Sequence, residues 1–594
     1  MIEERRKPTW EPGLLKRATL VWALVATVLL LANWANIAAR RFPDPDDILR
    51  LVQVRDLLGG QSWYDLIQYR IDAPNGGVPM HWSRLVDIPL LLIIGALSPL
   101  FGQGTGEIIA LVTVPLVSLF CAILLVVRLA WRLIDLEAAT LAGLVMALSA
   151  PLLFQFGPLR IDHHGWQIVC ALAAANALAA RDPARGGIVL GLALACWLAI
   201  SVEGLPMALA FCGIAALRWL RDRTDRVLLV RGLQVLAFAS LAIFAATRGP
   251  ADLAAHCDTL SPPFLGMICW GALGVTVLER QPLSLAGLTG GFSVIAAGVG
   301  AIAMLGAPDC LAGGFAATDP MVRDVWLARV PEGLPVWKQD IATVLQSVIL
   351  PVFGLFAAVA LAARSNDWLR RFWFDYLLLI IAALAVSVMV NRASAVAAAL
   401  AAVPLGWQLQ RWLAAVRGPS PISRRLVGAV AIALAFVPTL PLAVLAQVSP
   451  VKATESAPRM APAGSRASGC DIAAAAPMIA RLPKGEIAAP LDIGPALLME
   501  SQHSVIASGH HRGSAGLRFI FELFAASPED AHARLLERET AYVAICRDLM
   551  EVQIHAGRTP GGIADHILKG KVPHWMDRID TGESGLEIWA IRPA

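Results

Sequence analysis

The chain has 594 residues, of which 57% are hydrophobic and 16% are charged, and its mean hydropathy is +0.63. This composition excludes a string of soluble domains and predicts a polytopic membrane protein. The formal net charge is only +4, so the positions of the basic residues matter more than their sum, and no nucleic-acid partner is expected. The nine cysteines form no CxxC pairs, which excludes zinc-finger sites.

Apolar runs of roughly 17 to 25 residues predict about 13 membrane helices. The first run follows a basic start and has no small-residue cleavage pattern, so it is predicted to be a signal anchor with a cytoplasmic N-terminus. The predicted spans lie near 18–38, 107–131, 137–156, 165–181, 186–202, 204–220, 227–247, 263–279, 283–307, 343–364, 374–391, 393–413 and 426–446.

The run 88–103 is left out of this set because it is short and is interrupted by Pro99 and Gly102. If it does not cross, the arginine-rich connections near 128–132, 181–185, 221–226 and 364–371 all lie in the cytoplasm, as the positive-inside rule favours. If it crosses, these connections all face outward. We therefore predict that 88–103 is re-entrant or lies flat on the outer surface. All eleven histidines then lie outside or at the outer surface.

Four cysteines also fall on the predicted outer face, at Cys257, Cys310, Cys470 and Cys546. In an oxidising periplasm they would form two disulfides, one within the tail and one between loops. Four free thiols are the alternative that the sequence leaves open.

The domain boundaries follow from changes in composition. Residues 1–448 are predicted to form the transmembrane domain, with long outer loops at 40–106 and 307–342. Residues 449–469 form a linker rich in Ala, Pro, Ser and Gly, and residues 470–594 a periplasmic α/β domain. Within that domain, strands are predicted at 488–493, 504–507 and 542–546, and a helix at 528–540.

Three acids, Asp44, Asp46 and Asp47, stand where the chain leaves the first span. Carboxylates at the mouth of a membrane helix are costly near lipid and favour a charged ligand or a metal ion. The alternative is an acidic helix start, because apolar residues at helical spacing follow directly.

The second outer loop carries Asp162, His163 and His164 in direct succession. In extended backbone, Asp162 and His164 share one face and can bind one ion. Carboxylate oxygen and imidazole nitrogen suit Mn²⁺, Mg²⁺ or Zn²⁺. A helix cap with interfacial histidines is the alternative.

Other outer residues are candidates for donor or acceptor binding. Glu332 lies in a long loop near Arg329, where a simple salt bridge is the alternative, and Glu203 lies between two spans. The tail sequence GHHRGSAG presents imidazoles and a guanidinium that can meet phosphate, unless it is an ordinary turn. The imidazoles and the guanidinium are those of His510, His511 and Arg512. A second outer cluster, aromatic and basic, can serve as a sugar platform or as an interface anchor, and it consists of His81, Trp82 and Arg84.

Taken together, these phrases resemble the catalytic subunit of oligosaccharyltransferases, which belongs to the GT-C glycosyltransferases. The phrases are an acid after the first span, HW-x-x-L-x-D from His81 to Asp87, D-x-H at Asp162 and V-x-E-x-x-P around Glu332. About 13 spans and an outer C-terminal domain also fit that family. Walker, GxGxxG, GxSxG and HExxH motifs are not found in the sequence, so nucleotide-driven pumping and hydrolase chemistry of those types have no support.

The resemblance implies a role for each matching residue. Asp46, Asp162 and His164 correspond to metal ligands, and Asp46 and Glu332 to catalytic acids that orient the acceptor for inverting attack. Mn²⁺ or Mg²⁺ would neutralise the phosphate of a polyprenyl-linked sugar donor. Asp44, Asp47 and His163 would contact donor or acceptor.

Two departures from the family bear on the acceptor. The W-W-D-Y-G phrase that reads the acceptor sequon is replaced by Asp492, Ile493 and Gly494 in PLDIGPAL, and the T-I-x-E phrase is degraded around Glu332. A lipid, polysaccharide or protein acceptor is therefore expected. The resulting prediction is a bacterial inner-membrane glycosyltransferase with a periplasmic active site. A non-catalytic subunit of the same fold and a secondary transporter are the alternatives, although the acids cluster at one face rather than at mid-membrane.

Overall fold

A computed structural model of the chain describes residues 12–315, 318–418, 421–440, 442 and 470–593. It divides into two compact units. The first, here called the membrane unit, comprises residues 1–39, 83–316 and 333–452. The second, the tail unit, comprises residues 40–82, 317–332 and 453–594. The predicted linker 449–469 lies outside the described residues.

Within the described residues, the membrane unit has 11 helices that are long and apolar enough to cross a membrane. This confirms the predicted fold class of a polytopic helical protein. The helices are Gly13–Ala32, Arg84–Phe101, Gln103–Leu133, Pro183–Ile200, Val202–Arg221, Arg223–Thr247, Pro262–Glu279, Leu285–Gly306, Ile341–Arg364, Asp367–Met389 and Asn391–Arg417.

Three predicted spans correspond to shorter helices. The run 137–156 is divided into Leu136–Met146 and Ala150–Phe154. His164–Leu178 has 15 residues and is therefore about 22 Å long at 1.5 Å per residue, less than the hydrocarbon thickness of a bilayer. Ile422–Phe436 also has 15 residues, and the predicted span 426–446 extends beyond the described residues.

The predicted interruption of 88–103 at Pro99 is wrong, because the helix Arg84–Phe101 contains both Pro89 and Pro99, whereas the predicted break at Gly102 is present. This helix is long and apolar enough to cross a membrane, and its re-entrant or surface-lying placement stays a prediction. Gly102, at φ +83°, then reverses the chain into Gln103–Leu133, which packs against the preceding helix. A left-handed residue at this turn suits glycine, because other residues would pay a steric penalty there.

A buried ion cluster joins two helices of the membrane unit. Asp375, with a side chain 2% exposed, accepts hydrogen bonds from Arg218 Nε at 2.6 Å and from Arg221.

Close packing of small residues brings two other helices of this unit together. A Cβ atom on Gly191 would collide with the carbonyl oxygen of Gly232 on the neighbouring helix.

The tail unit contains a two-stranded hairpin and a mixed five-stranded sheet. The hairpin pairs β1 Ile67–Gln68 with β2 Val78–Pro79. The strands of the sheet are β3 Glu486–Ala488, β4 Ser504–Val505, β5 Tyr542–Ile545, β6 Met576–Ile579 and β7 Glu587–Ile591, in the order β4-β3-β5-β7-β6. β3 runs parallel to β4 and β5, and β7 runs antiparallel to β5 and β6. Alternate side chains of β5 enter two separate cores, so the sheet is buried on both faces.

The mixed α/β character of the tail is confirmed, with shifts in its elements. The predicted strand 488–493 is wrong over most of its length, because the strand ends at Ala488 and a turn follows. The predicted helix 528–540 ends at Glu537. The helices of this unit are Pro45–Leu58, Pro320–Val325, Ile472–Ile479, Gly494–Glu500, Ser514–Ala525, Pro528–Glu537, Met550–Arg558 and Ile563–Leu568.

The first outer loop is part of this tail unit. Leu49, Ile71 and Trp82 share a core with β3 and β5. Ile71 also forms a parallel bridge to Val505, the last residue of β4. Residues 40–82 therefore fold with the tail, although more than 380 positions lie between residue 82 and residue 470, where the described part of the tail begins.

Both predicted disulfides are present. Cys257 pairs with Cys310 within the membrane unit, and Cys470 pairs with Cys546 within the tail unit. The alternative of four free thiols is thereby excluded, and the pairing agrees with an oxidising compartment for these segments.

Candidate functional site

The membrane unit brings Asp162, His163 and His164 together in one buried cluster. His163 Nδ1 lies 2.6 Å from Asp162 Oδ1, and His164 Nε2 lies 3.4 Å from Asp162 Oδ2. Arg160 adds a cation at 4.0 Å from the same carboxylate. The side chains of Arg160 and Asp162 are each only 2% exposed, so their charges are screened little by water.

Local backbone geometry places these side chains. Leu159 is buried and adopts φ +70°, which is an unusual conformation for a branched residue, and its N–H donates to the carbonyl of Leu111 at 2.9 Å. Helix His164–Leu178 begins five residues after this bend. Strained backbone of this kind persists where the surrounding structure enforces it, and it concentrates at functional sites.

The spacing within the cluster suits a cation. Two ligand atoms that each lie about 2.1 Å from one ion at a tetrahedral angle are about 3.4 Å apart. Asp162 Oδ2 and His164 Nε2 have that separation, which is longer than a charge-assisted hydrogen bond. Burial lowers the pKa of His164 well below its usual range, and His163, Arg160 and Arg392 lower it further against the opposing effect of Asp162. The ring is therefore held in the neutral form that binds metals.

A polar chain supports His164 from behind. Gln167 Nε2 lies 3.4 Å from His164 Nδ1, and Trp197 Nε1 donates to Gln167 Oε1 at 3.1 Å. Trp197 itself packs on Gly204, where a Cβ atom would lie 2.5 Å from the indole nitrogen. Such outer contacts orient metal ligands and tune their affinity.

Glu203 is paired with a residue that the sequence analysis missed. Arg392 Nη1 donates to Glu203 Oε1 at 3.0 Å, although 189 positions separate the two. The signal was present in the sequence, because Arg392 directly follows the predicted span 374–391 on the side predicted to be outer. A cation there runs against the positive-inside rule and therefore favours a functional role.

Arg84 also lies in the membrane unit, where it is neutralised by Asp87. The two side chains are 2% and 1% exposed, and their closest atoms are 3.2 Å apart. Ser83 caps the same helix by accepting from the N–H of Leu85. The structure thus places both charged residues of the HW-x-x-L-x-D phrase in one buried pair.

In the tail unit, the acids that follow the first span divide into different environments. Asp44 is the N-cap of helix Pro45–Leu58 and accepts from the N–H of Asp46 at 3.0 Å. The capping role is therefore confirmed for one acid. Asp47 is completely buried, whereas Asp46 is half-buried in the first turn.

The tail unit also brings three histidines together. His81 Nδ1 lies 2.8 Å from His510 Nε2, and the ring of His511 lies 4.9 Å from that of His81 and 5.0 Å from that of His510. Trp82 makes an edge contact with His510, and the guanidinium of Arg50 stacks over Trp82 at 4.7 Å. The GHHRGSAG segment and the HW phrase thus form one cluster.

A further carboxylate of the tail unit stands out by its titration. Burial, together with the nearby charges of Glu551 and Asp44, raises the pKa of Asp492 to about 8. Glu551 accepts from the N–H of Leu491 at 3.1 Å and is itself buried. Its two acidic neighbours come from separate helices, Glu551 from Met550–Arg558 and Asp44 from the N-cap of Pro45–Leu58, so local sequence around Asp492 gives no sign of them.

Three further predicted residues of the tail unit are Arg329, Glu332 and Arg512. Arg329 donates to the carbonyls of Asp324 and Val325, the latter at 2.7 Å, and so closes the helix Pro320–Val325. Glu332 is half-buried in a single turn of 3₁₀ helix. Arg512 lies in the turn His511–Gly513 that follows the paired histidines.

No family model and no curated protein matches the sequence. Among solved structures, the chain is similar to the archaeal oligosaccharyltransferase AglB from Archaeoglobus fulgidus in complex with an inhibitory peptide and a dolichol-phosphate. The TM-score is 0.64 at 15% identity, over 94% of this chain and 72% of that chain. The Archaeoglobus fulgidus oligosaccharyltransferase in complex with Zn and sulfate gives 0.58 at 13% identity, over 94% and 71%. ArnT from Cupriavidus metallidurans gives 0.40 at 14% identity, over 96% and 98%. The predicted resemblance is confirmed at the level of the fold.

Proposed function

We propose that the chain is a glycosyltransferase that moves a sugar from a polyprenyl-phosphate or polyprenyl-pyrophosphate donor to a periplasmic acceptor with the help of a divalent metal ion. The observation that carries the proposal is the buried cluster of Asp162, His163 and His164, whose spacing and donor set fit a cation. The shared fold supports it, because AglB itself is seen with a dolichol-phosphate and a peptide.

Asp46, Asp162 and His164 are proposed as the metal ligands. The set of carboxylate and imidazole fits Mn²⁺ or Mg²⁺, with carboxylates supplying the hard oxygen that these ions prefer. When bound, the ion neutralises the negative charge that develops on the leaving phosphate. Within the chain, His163 holds the Asp162 carboxylate in place, and Gln167 holds the ring of His164.

Charged residues are also proposed to orient the acceptor and to meet the donor. Asp46, besides its role as a metal ligand, and Glu332 orient the acceptor for inverting attack at the sugar carbon. Cationic side chains meet the donor phosphate, because a guanidinium matches two phosphate oxygens at once. These cations are Arg329 and Arg512, and the further donor or acceptor contacts are Asp44, Asp47, His81, Trp82, Arg84, His163, Glu203, His510 and His511.

The acceptor is proposed to be a lipid, a polysaccharide or a protein. The tail sequence at Asp492 lacks the tryptophan pair and the tyrosine of the family's sequon-reading phrase. Asp492 is buried beside other carboxylates, so its raised pKa leaves it largely protonated near neutral pH. A neutral carboxyl can donate a hydrogen bond, which an ionised carboxylate cannot.

The proposed location is a bacterial inner membrane, with the N-terminus in the cytoplasm and the tail unit in the periplasm. The arginine-rich connections and the disulfides Cys257–Cys310 and Cys470–Cys546 support this orientation. Reporter fusions at 222 and at the C-terminus test it, since the first should report cytoplasm and the second periplasm.

The test is binding of an undecaprenyl-linked sugar to the purified full-length protein, with and without a chelator. Wild type should bind only when Mn²⁺ or Mg²⁺ is present, and Asp162→Ala should lose that metal-dependent binding. Asp309→Ala is the matched control, because Asp309 is an exposed acid of the same unit. If Asp162→Ala still binds the donor, and binding does not depend on the chelator, the metal-centred donor site is excluded. If folded Asp46→Ala and Asp162→Ala variants transfer sugar at the wild-type rate, a catalytic role for these two residues is excluded.

A further inference from the structure

We propose that His81, His510 and His511 form a second metal site, which selects Zn²⁺ or a similar transition-metal ion. All three residues belong to the tail unit. This second site does not depend on the transferase proposal, because metal content and metal spectra are measured without a sugar donor.

Convergence of three imidazoles is the first observation. One nitrogen from each ring lies within 4.8 Å of the nitrogens of the other two. His81 Nδ1 and His510 Nε2 are 2.8 Å apart, and the three ring centroids are separated by 4.9 to 5.0 Å. The 2.8 Å contact is a hydrogen bond between the His81 and His510 rings, which a tetrahedral ion would replace by a separation of about 3.4 Å between the two nitrogens. The third ring, which this hydrogen bond does not explain, is what points to an ion.

Rigid positioning is the second observation. His510 is 2% exposed and packs edge-on against Trp82, which is 3% exposed. The backbone of the two histidines is fixed by a turn in which Gly513 N–H donates to the His510 carbonyl at 2.9 Å and Ser514 Oγ donates to the His511 carbonyl at 2.7 Å. Ligands that are held before the ion arrives lose little conformational freedom on binding.

The first-loop hairpin positions the third ring. Met80, next to His81, donates its N–H to the carbonyl of Leu66 at 2.9 Å, and β1 pairs with β2 through Ile67 and Pro79. His81 therefore reaches the cluster from a different element than the other two histidines. Separations of 429 and 430 positions exclude a local turn as the reason for the cluster.

The ligand set predicts the kind of metal. The three members of this group are all imidazoles, whereas the membrane-unit group contains a carboxylate. Imidazole suits Zn²⁺, Co²⁺, Ni²⁺ and Cu²⁺, and the hard oxygen donors suit Mg²⁺ and Mn²⁺. Three protein ligands also leave one position of a tetrahedral zinc site open to water or an anion. The all-imidazole group should therefore discriminate more strongly against Mg²⁺ and Mn²⁺ than the group that contains a carboxylate.

Cobalt titration tests the inference directly. The full-length protein, purified without a polyhistidine tag, is titrated with Co²⁺ in the presence of excess Mg²⁺, and the visible absorption of tetrahedral Co²⁺ is recorded. One equivalent should bind to wild type. His511→Ala should weaken this binding by more than about tenfold, since removal even of an outer partner of a metal ligand costs 10- to 100-fold.

A control variant separates loss of the site from a general effect of histidine removal. His574→Ala removes an exposed histidine of the same unit and should bind Co²⁺ as wild type does. His81→Gln removes a ligand from the other element and should reproduce the loss, which covers the case in which His511→Ala fails to fold. Unchanged Co²⁺ binding in both histidine variants, or no tetrahedral Co²⁺ spectrum in wild type, would overturn the proposal.

Discussion

Removing the cation of Arg538 should detach the first outer loop from the tail sheet. Arg538 donates to both oxygens of Glu486, at 2.7 and 2.9 Å, and to Asp72 of the first loop at 2.6 Å. The two carboxylates are only 7% and 6% exposed. Arg538→Met keeps the apolar stem but leaves both buried carboxylates without their cation.

The expected cost is about 3 to 5 kcal/mol, because breaking a buried ion pair leaves uncompensated charge. At about 1.4 kcal/mol for each tenfold change, the population of the opened loop should rise by roughly 100- to 3000-fold. Two amides report that opening. Asp72 N–H donates to the Val505 carbonyl at 2.9 Å, and Val505 N–H donates to the Arg70 carbonyl at 2.8 Å.

Hydrogen exchange of the full-length protein, read by mass spectrometry on peptides that contain Asp72 or Val505, measures this change. Arg592→Met is the matched control. Arg592 pairs with both oxygens of Asp577 on the same sheet, but the two side chains are 57% and 49% exposed, so water screens the pair and its loss should have little effect on exchange. Equal exchange in the two variants would refute the assignment of the first loop to the tail unit.

Three further predictions concern the site and the tail. Gly204→Ala should displace the indole that packs on it and lower Mn²⁺ affinity, read as free Mn²⁺ by electron paramagnetic resonance, whereas Gly213→Ala, with open space around it, should leave affinity unchanged. Asp492 binds a proton in the folded state up to about pH 8 but only to about pH 4 when unfolded, so the free energy of unfolding should fall as pH rises between those values. Denaturant titrations at several pH values should show a flatter dependence in Asp492→Asn; an unchanged slope would contradict the raised pKa. Replacing both Cys470 and Cys546 by Ser should lower stability by about 2 to 5 kcal/mol, and a denaturation midpoint equal to that of wild type would exclude a stabilising disulfide.

Local pattern was sufficient for much of the fold. Long apolar runs predict helices because every backbone polar group must be satisfied within a span. Of the 11 candidate helices in the described residues, ten coincide with predicted spans, and Arg84–Phe101 is the exception. The cluster at Asp162 was also predictable, since its three residues are adjacent in sequence and a helix begins among them. Adjacent residues need no tertiary contact to share one site.

The ends of helices and the short strands could not be predicted as well from the sequence. The run 88–103 contains two prolines, yet Pro89 and Pro99 lie within one helix because the neighbouring helix and the turn at Gly102 hold it. The strand predicted at 488–493 stops at Ala488, where the chain turns towards Asp492. In both places tertiary packing outweighed local propensity.

The sequence by itself determined the class of the molecule, most of the helical spans and the succession of Asp162, His163 and His164. Only the tertiary structure decided that residues 40–82 fold with the tail, that His81 joins His510 and His511, and that Glu203 pairs with Arg392. The physical reason is the different sequence range over which these interactions act. Hydrophobic periodicity and capping act over a few residues, whereas burial and pairing of charges depend on which distant segments the closed core brings together.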